Sequence, residues 1–187
     1  EGTSIDRSTD DFPLYRALTD FGEQLDDSGA VLQSFVAGFT GPLTLSEEAF
    51  EQALWDRLQA LNNMDAAAGC EWSEDVASDP GSPHFSMSVA GRAFFVIGLH
   101  PNASRRARRF SQPVLVFNSR EQFERLRRDG RFTTMQEAIR ERDMALDGSV
   151  NPMLENYGDG SETRQYSGRV IPENWECPLI VREPADD

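Results

Sequence analysis

Apolar residues recur three and four positions apart at Phe50, Leu54, Leu58 and Leu61, and this stripe predicts an amphipathic helix. Ser46 stands where its N-cap is needed, and Glu47 and Glu48 follow where the helix dipole favours acids. Upstream, Phe12, Leu14, Leu18, Phe21 and Leu25 have looser helical spacing, while VLQSFVAGF (31–39) reads as a short strand or a buried turn. Residues 65–83 are small, acidic and rich in Pro and Gly, which predicts a loop. FSMSV then alternates apolar and polar, and RAFFVIGL follows Ala90-Gly91, so the pair predicts a β-hairpin whose second strand is buried on both faces. VLVF (114–117) is a further strand. Two capping pairs, Asn118 with Glu121 and Thr133 with Gln136, predict helices carrying Phe123 and Leu126, then Met135, Ala138, Ile139 and Leu146. Gly148 is placed to end the second of them. From Asn151 to Cys177 the chain is Gly-, Asn- and Pro-rich with little periodicity. Strands and helices without regular βαβ alternation predict an α+β fold: one domain over 1–187, a small, mainly antiparallel sheet with packed helices, and a long C-terminal loop region. Residues 1–10 and 183–187 are expected as flexible ends.

Composition narrows the function classes. The 187 residues suit one domain, and hydrophobic residues at 39% with charged residues at 27% are usual for a globular chain. No apolar run approaches the roughly 20 residues that span a bilayer, and EGTSIDRSTDD lacks the features of an export signal, so a cytoplasmic protein without a membrane partner is expected. The net charge of −14 repels nucleic acid. Every basic residue is arginine, and before residue 80 only Arg7, Arg16 and Arg57 occur, so most arginines crowd between Arg92 and Arg142. For most of them a solvated, ion-paired face is the simplest account, and Arg120 is expected on such a face. Cys70 and Cys177 form no disulfide framework and belong to no zinc or covalent-haem motif.

Candidate chemistry gathers at GLHPNASRRARRF (98–110). Proline pushes the preceding residue out of helical geometry, so His100 is expected at a strand end, with a helix starting from Pro101. On that helix Arg105 and Arg108 would share a face at i, i+3. An imidazole beside guanidinium forks suits a ligand with both a metal and carboxylates, such as haem b, or alternatively a phosphorylated metabolite. His84, at the hairpin entry in SPHFS, could face His100 across a pocket. Cys177, in NWECPL, is the alternative soft ligand, ranked below His100. RQYSGR (164–169) offers hydroxyl donors from Tyr166 and Ser167 in a loop of the kind that lines active sites.

Taken in order, FFVIGLHPNASRRARRF, PVLVFNSREQFERLR, AIRERD, GSVNPML, RQYSGR and NWECPL resemble the GntA-type branch of the YqcI/YcgG family of haem-dependent N-hydroxylases and N-oxygenases, with the motifs spread over residues 83–178. The resemblance implies non-covalent haem b, O2 or peroxide as oxidant with an external reductant, and oxidation of a nitrogen in a small guanidine-type substrate, arginine-like or cyclic, in specialised metabolism. Carried over by position, His100 becomes the proximal iron ligand and Arg105 and Arg108 become propionate anchors. Tyr166, Ser167 and Arg169 would line the distal or substrate side as the catalytic group. Asn118, Gln122 and Asp143 fall in matching blocks without an assigned place. Many members carry an FPC-type segment near SPH, so the role of His84 stays open. The reading from a different class is a haem-binding carrier or sensor without turnover, holding iron through both histidines. A homodimer is compatible with either reading.

Overall fold

In a computed structural model of the chain, the structure describes residues 3–25, 32–153 and 158–184. Among these, α1 (Asp11–Gln24), β1 (Ser34–Gly38), α2 (Glu47–Ala67), β2 (Met87–Val89), β3 (Arg92–Leu99), β4 (Val114–Ser119), α3 (Arg120–Arg128), α4 (Phe132–Asp147) and α5 (Thr163–Tyr166) follow in order. The strands form one antiparallel sheet in the order β1-β4-β3-β2. The architecture is α+β, as the absence of βαβ alternation predicts. No helix among the described residues is long and apolar enough to cross a membrane.

α2 begins as its sequence dictates. The Ser46 hydroxyl accepts the Ala49 N–H at 3.2 Å, and Phe50, Leu54, Leu58 and Leu61 are buried along one stripe. The β2–β3 turn has Ala90 and Gly91 both at positive φ (50° and 71°), the conformation a two-residue hairpin with the correct twist requires. Both Asp65 carboxylate oxygens accept the Ala90 N–H, at 3.0 and 2.9 Å, which pins this turn to the end of α2.

Strand alternation sorts the sheet into two faces. Phe94 and Val96 of β3, with Leu115 and Phe117 of β4, point toward α1 and α2 and are fully buried. At Gly98 a Cβ would lie 2.7 Å from Phe50 Cε1 and 2.8 Å from Leu54 Cδ1. Glycine there is what lets α2 approach β3 so closely. β3 is not buried on both faces as expected: Phe95, Ile97 and Leu99 are only half-buried, because they floor a cavity instead of a second core layer.

Local signals failed at three junctions. No helix runs from Pro101. The chain makes a single 3-10 turn at Arg106–Arg108, closed by His100 N–H to Arg108 O (3.1 Å) and Phe110 N–H to His100 O (3.4 Å). Outside contacts hold this loop open: Asn102 donates to Leu43 O and Leu45 O, and Ser104 donates to Glu47. α3 starts at Arg120 without a side-chain cap, since Asn118 is retained in β4, and α4 starts at Phe132 ahead of the expected Thr133 cap. The N-terminal segment is docked: Ile5 is fully buried and its N–H reaches Gly41 O at 3.0 Å. Residues 1–2 and 185–187 of the expected loose ends lie outside the described residues, as does Leu154.

Candidate functional site

On the sheet face away from α1 and α2 lies a cavity of about 590 Å³. Phe95, Ile97, Leu99 and Val116 form its floor, and Phe123, Phe132, Met135, Ile139 and Leu146 of α3 and α4 form its roof. Two apolar walls facing one another make a slot of a size usual for small-molecule and cofactor sites. Its charge is unlike that of the rest of the chain. Six arginines line it (105, 108, 120, 127, 140 and 142) against two carboxylates, Asp143 and Glu162, in a protein with 18 basic and 32 acidic residues.

Both carboxylates are already occupied. Asp143 meets Arg105 Nη2 at 2.9 Å and accepts the Asn151 N–H at 2.5 Å. Glu162 Oε1 accepts from the Tyr166 hydroxyl (2.6 Å) and Ser86 hydroxyl (2.8 Å), while Oε2 meets Arg120 at 3.1 Å. Burial pushes the Glu162 carboxyl up to about 7, opposed by the Tyr166 hydrogen bond and the Arg120 charge. With its acids engaged, the wall presents net positive charge to a ligand.

The residues singled out from sequence divide between the two faces. Arg105 and Arg108 line the cavity, as do Asn118, Gln122 and Asp143. Arg108 is buried, donates to Gly98 O (3.3 Å) and Gln165 O (3.1 Å), and burial lowers its pKa to about 10. Gly168 makes room for its stem: a Cβ there would lie 2.9 Å from Arg108 Cγ.

His100 continues the alternation of Phe94, Val96 and Gly98, so it faces α2. Its ring stacks on Phe50 with centroids 4.3 Å apart, it is 2% exposed, and its buried Nδ1 has no hydrogen-bond partner among the described residues. Burial lowers its pKa, against the pull of the Glu47 charge, and so favours the neutral imidazole. Ser167 donates to Glu51 at 3.1 Å and Arg169 pairs with Glu51 and Glu48, so these two also gather at the first turns of α2. Tyr166 is fully buried where β2 begins, its hydroxyl accepting the Met87 N–H (3.3 Å) and donating to Glu162, with its ring stacked on Trp55. RQYSGR therefore straddles the sheet edge, with Gln165 on the cavity side and Ser167 and Arg169 on the other. His84 is exposed near Gly158. Cys177 packs against the core, and burial pushes its thiol up to about 12, which keeps it protonated.

Local sequence patterns leave much of the cavity lining unmarked, Arg120, Glu162 and Gln165 among it. Arg120 is 7% exposed and bonded to Glu162, so its expected solvent placement is corrected: the turn into α3 directs it inward. Glu162 carried no signal that set it apart from the other acids, and Gln165 was overlooked beside Tyr166.

The fold is α+β, and five of the six sequence blocks noted above contribute residues to the cavity lining. The sequence profile of the YqcI/YcgG family matches residues 2–180, and the chain belongs to this family. No curated protein and no solved structure matches it.

Proposed function

We propose that the cavity binds haem b and that the protein is a haem-dependent N-oxygenase, oxidising a nitrogen of a small guanidine-type substrate with O2 or peroxide and an external reductant. The observation that carries this reading is the convergence of the ordered blocks on one slot, with apolar walls and an arginine-rich lining. A flat apolar ring with two carboxylates is complementary to such a site, where guanidinium groups grip carboxylates and the walls exclude water. Haem would supply the oxidising chemistry; the chain supplies binding and exclusion of water.

The fit is incomplete at the iron. Among the described residues no histidine or cysteine lines the cavity, and the His100 imidazole lies across the sheet under Phe50. As placed, His100 matches a metal ligand in protonation state but not in position, and Cys177 matches in neither. Tyr166, Ser167 and Arg169 hold the C-terminal segment on Glu162 and Glu51, so they serve as structural ties to the site. The carrier reading, which needs both imidazoles on one iron, finds His84 exposed and His100 enclosed on different elements.

Purified protein given hemin is expected to develop a Soret band that saturates at about one equivalent and shifts with carbon monoxide after reduction. Incubation with a panel of guanidines and a reductant should then add the mass of oxygen to at least one of them. A colourless protein refutes the haem reading. His100→Ala decides the axial ligand: an unchanged band leaves His100 as core packing, and a lost or shifted band makes it the ligand and requires its ring to leave Phe50.

A further inference from the structure

The cavity's roof is attached differently from its floor. Of the residues of α4 only Asp143 is buried, and the inward-facing Ile139 and Leu146 remain 47% and 44% exposed. α4 has α3 and the 3-10 turn at Arg106–Arg108 as its main neighbours, whereas β3 and β4 are paired along their whole length. Among the described residues its apolar face therefore borders the cavity, where an amphipathic helix usually packs on a core. At its start, Phe132 packs edge-on against Phe123 (6.5 Å) and lies under the Arg127 guanidinium (4.4 Å). Each end abuts a left-handed glycine, Gly130 (φ 69°) and Gly148 (φ 71°), where the backbone can turn.

A set of polar contacts holds the far end. Arg105 Nη2 lies 2.9 Å from Asp143 and 3.7 Å from Asp147, and the same guanidinium donates to Ser149 O (2.6 Å) and Ser149 Oγ (3.3 Å). Asp147 accepts the backbone N–H groups of Arg106 (2.7 Å) and Ala107 (3.2 Å). All of these bonds join the C-terminal part of α4 and the chain just after it to the loop between β3 and β4.

We propose that α4 is a lid over the cavity, anchored on α3 at its N-terminal end, and that Arg105 is the latch that closes its C-terminal end rather than an anchor for the ligand. This rests on the reading of the cavity as the ligand site. An occupant supplies α4 with an apolar partner, so binding and closure reinforce one another. Arg105 is committed to four acceptors in the closed form and Arg120 is paired with Glu162 and Glu124, which leaves Arg108, whose hydrogen bonds go to backbone carbonyls, with Arg140 and Arg142 to meet a ligand's anionic groups.

The test compares wild type with Arg105→Gln and, from the other side of the latch, Asp147→Asn. Hydrogen exchange across the C-terminal half of α4 should rise about tenfold in both variants while exchange in β3 and β4 stays unchanged. In stopped-flow mixing with hemin, association and dissociation should both accelerate by about tenfold, leaving the dissociation constant within about threefold of wild type. An anchor would behave otherwise, with unchanged association and an affinity loss of about tenfold or more. That result, or unaltered exchange in α4, overturns the latch. Should one variant not fold, the other carries the comparison. Should wild type take up no hemin, the haem reading fails by itself, and the exchange measurement still decides whether α4 is latched.

Discussion

Arg120→Met is expected to cost about 3 kcal/mol of unfolding free energy at about pH 8, and adding Glu162→Gln should return most of it. The pair is 8% and 4% exposed at its side chains, with nitrogen and oxygen 3.1 Å apart. Without Arg120, Glu162 keeps its hydrogen bonds from Tyr166 and Ser86 but loses its closest counter-charge in a site where burial already raises its pKa. An uncompensated buried charge costs far more than the net worth of the pair. The pH dependence follows from the direction of the shift. The folded value of about 7 lies above the ordinary glutamate value of 4.5, so the folded state holds the proton more tightly. The stabilisation is complete below pH 4.5 and is lost as pH rises through about 7, a change on the order of 3 kcal/mol. In Arg120→Met this loss should extend to higher pH, and in any chain carrying Glu162→Gln it should vanish. Asp11 and Asp65 are also raised by burial, so the comparison is made on differences between variants in urea titrations at several pH values. Equal losses for Arg120→Met with and without Glu162→Gln would show that the two do not act together.

Ile97→Trp should weaken hemin binding by about 100-fold while leaving the folded state within about 1 kcal/mol of wild type. Ile97 lies mid-floor, opposite Val116 in the β3–β4 register, and is only half-buried because the cavity lies above it. An indole there fills the slot without intruding on the core. The neighbouring residue gives the contrast: Val96 is fully buried on the other face, and Val96→Trp would overpack it. Val170→Trp, at a residue 54% exposed and outside the cavity lining, controls for the added aromatic group. The readout is absorbance of the bound pigment against hemin concentration, with thermal unfolding run alongside. Unchanged affinity in Ile97→Trp would place the ligand elsewhere.

Sequence resolved what is settled within a few residues. The cap and stripe of α2, the Ala90-Gly91 turn and the glycine stop of α4 are local, and each lies where its residues predict. Long-range contacts decided the rest. Pro101 was a sound helix start by itself, yet Asn102 and Ser104 found partners near residues 43–47 that a helix would have forfeited. Five of the six blocks contribute residues to the cavity lining. Strand parity then separated their members: Leu99 lines the cavity, whereas His100, one residue on, faces α2. Alternation along FFVIGLH puts His100 with Phe94 and Val96. Which of the two faces would be hollow depended on α3 and α4, whose placement no local pattern encodes.

The proposed ligand site is the slot between β3–β4 and α4. Anomalous diffraction at the iron edge, from crystals of the protein grown with hemin, locates the metal directly. A single peak is expected on the cavity side, closer to Ile97 than to Phe50, with Arg108 near the ring's carboxylates. A peak beside the His100 ring on the α2 side of the sheet would contradict it.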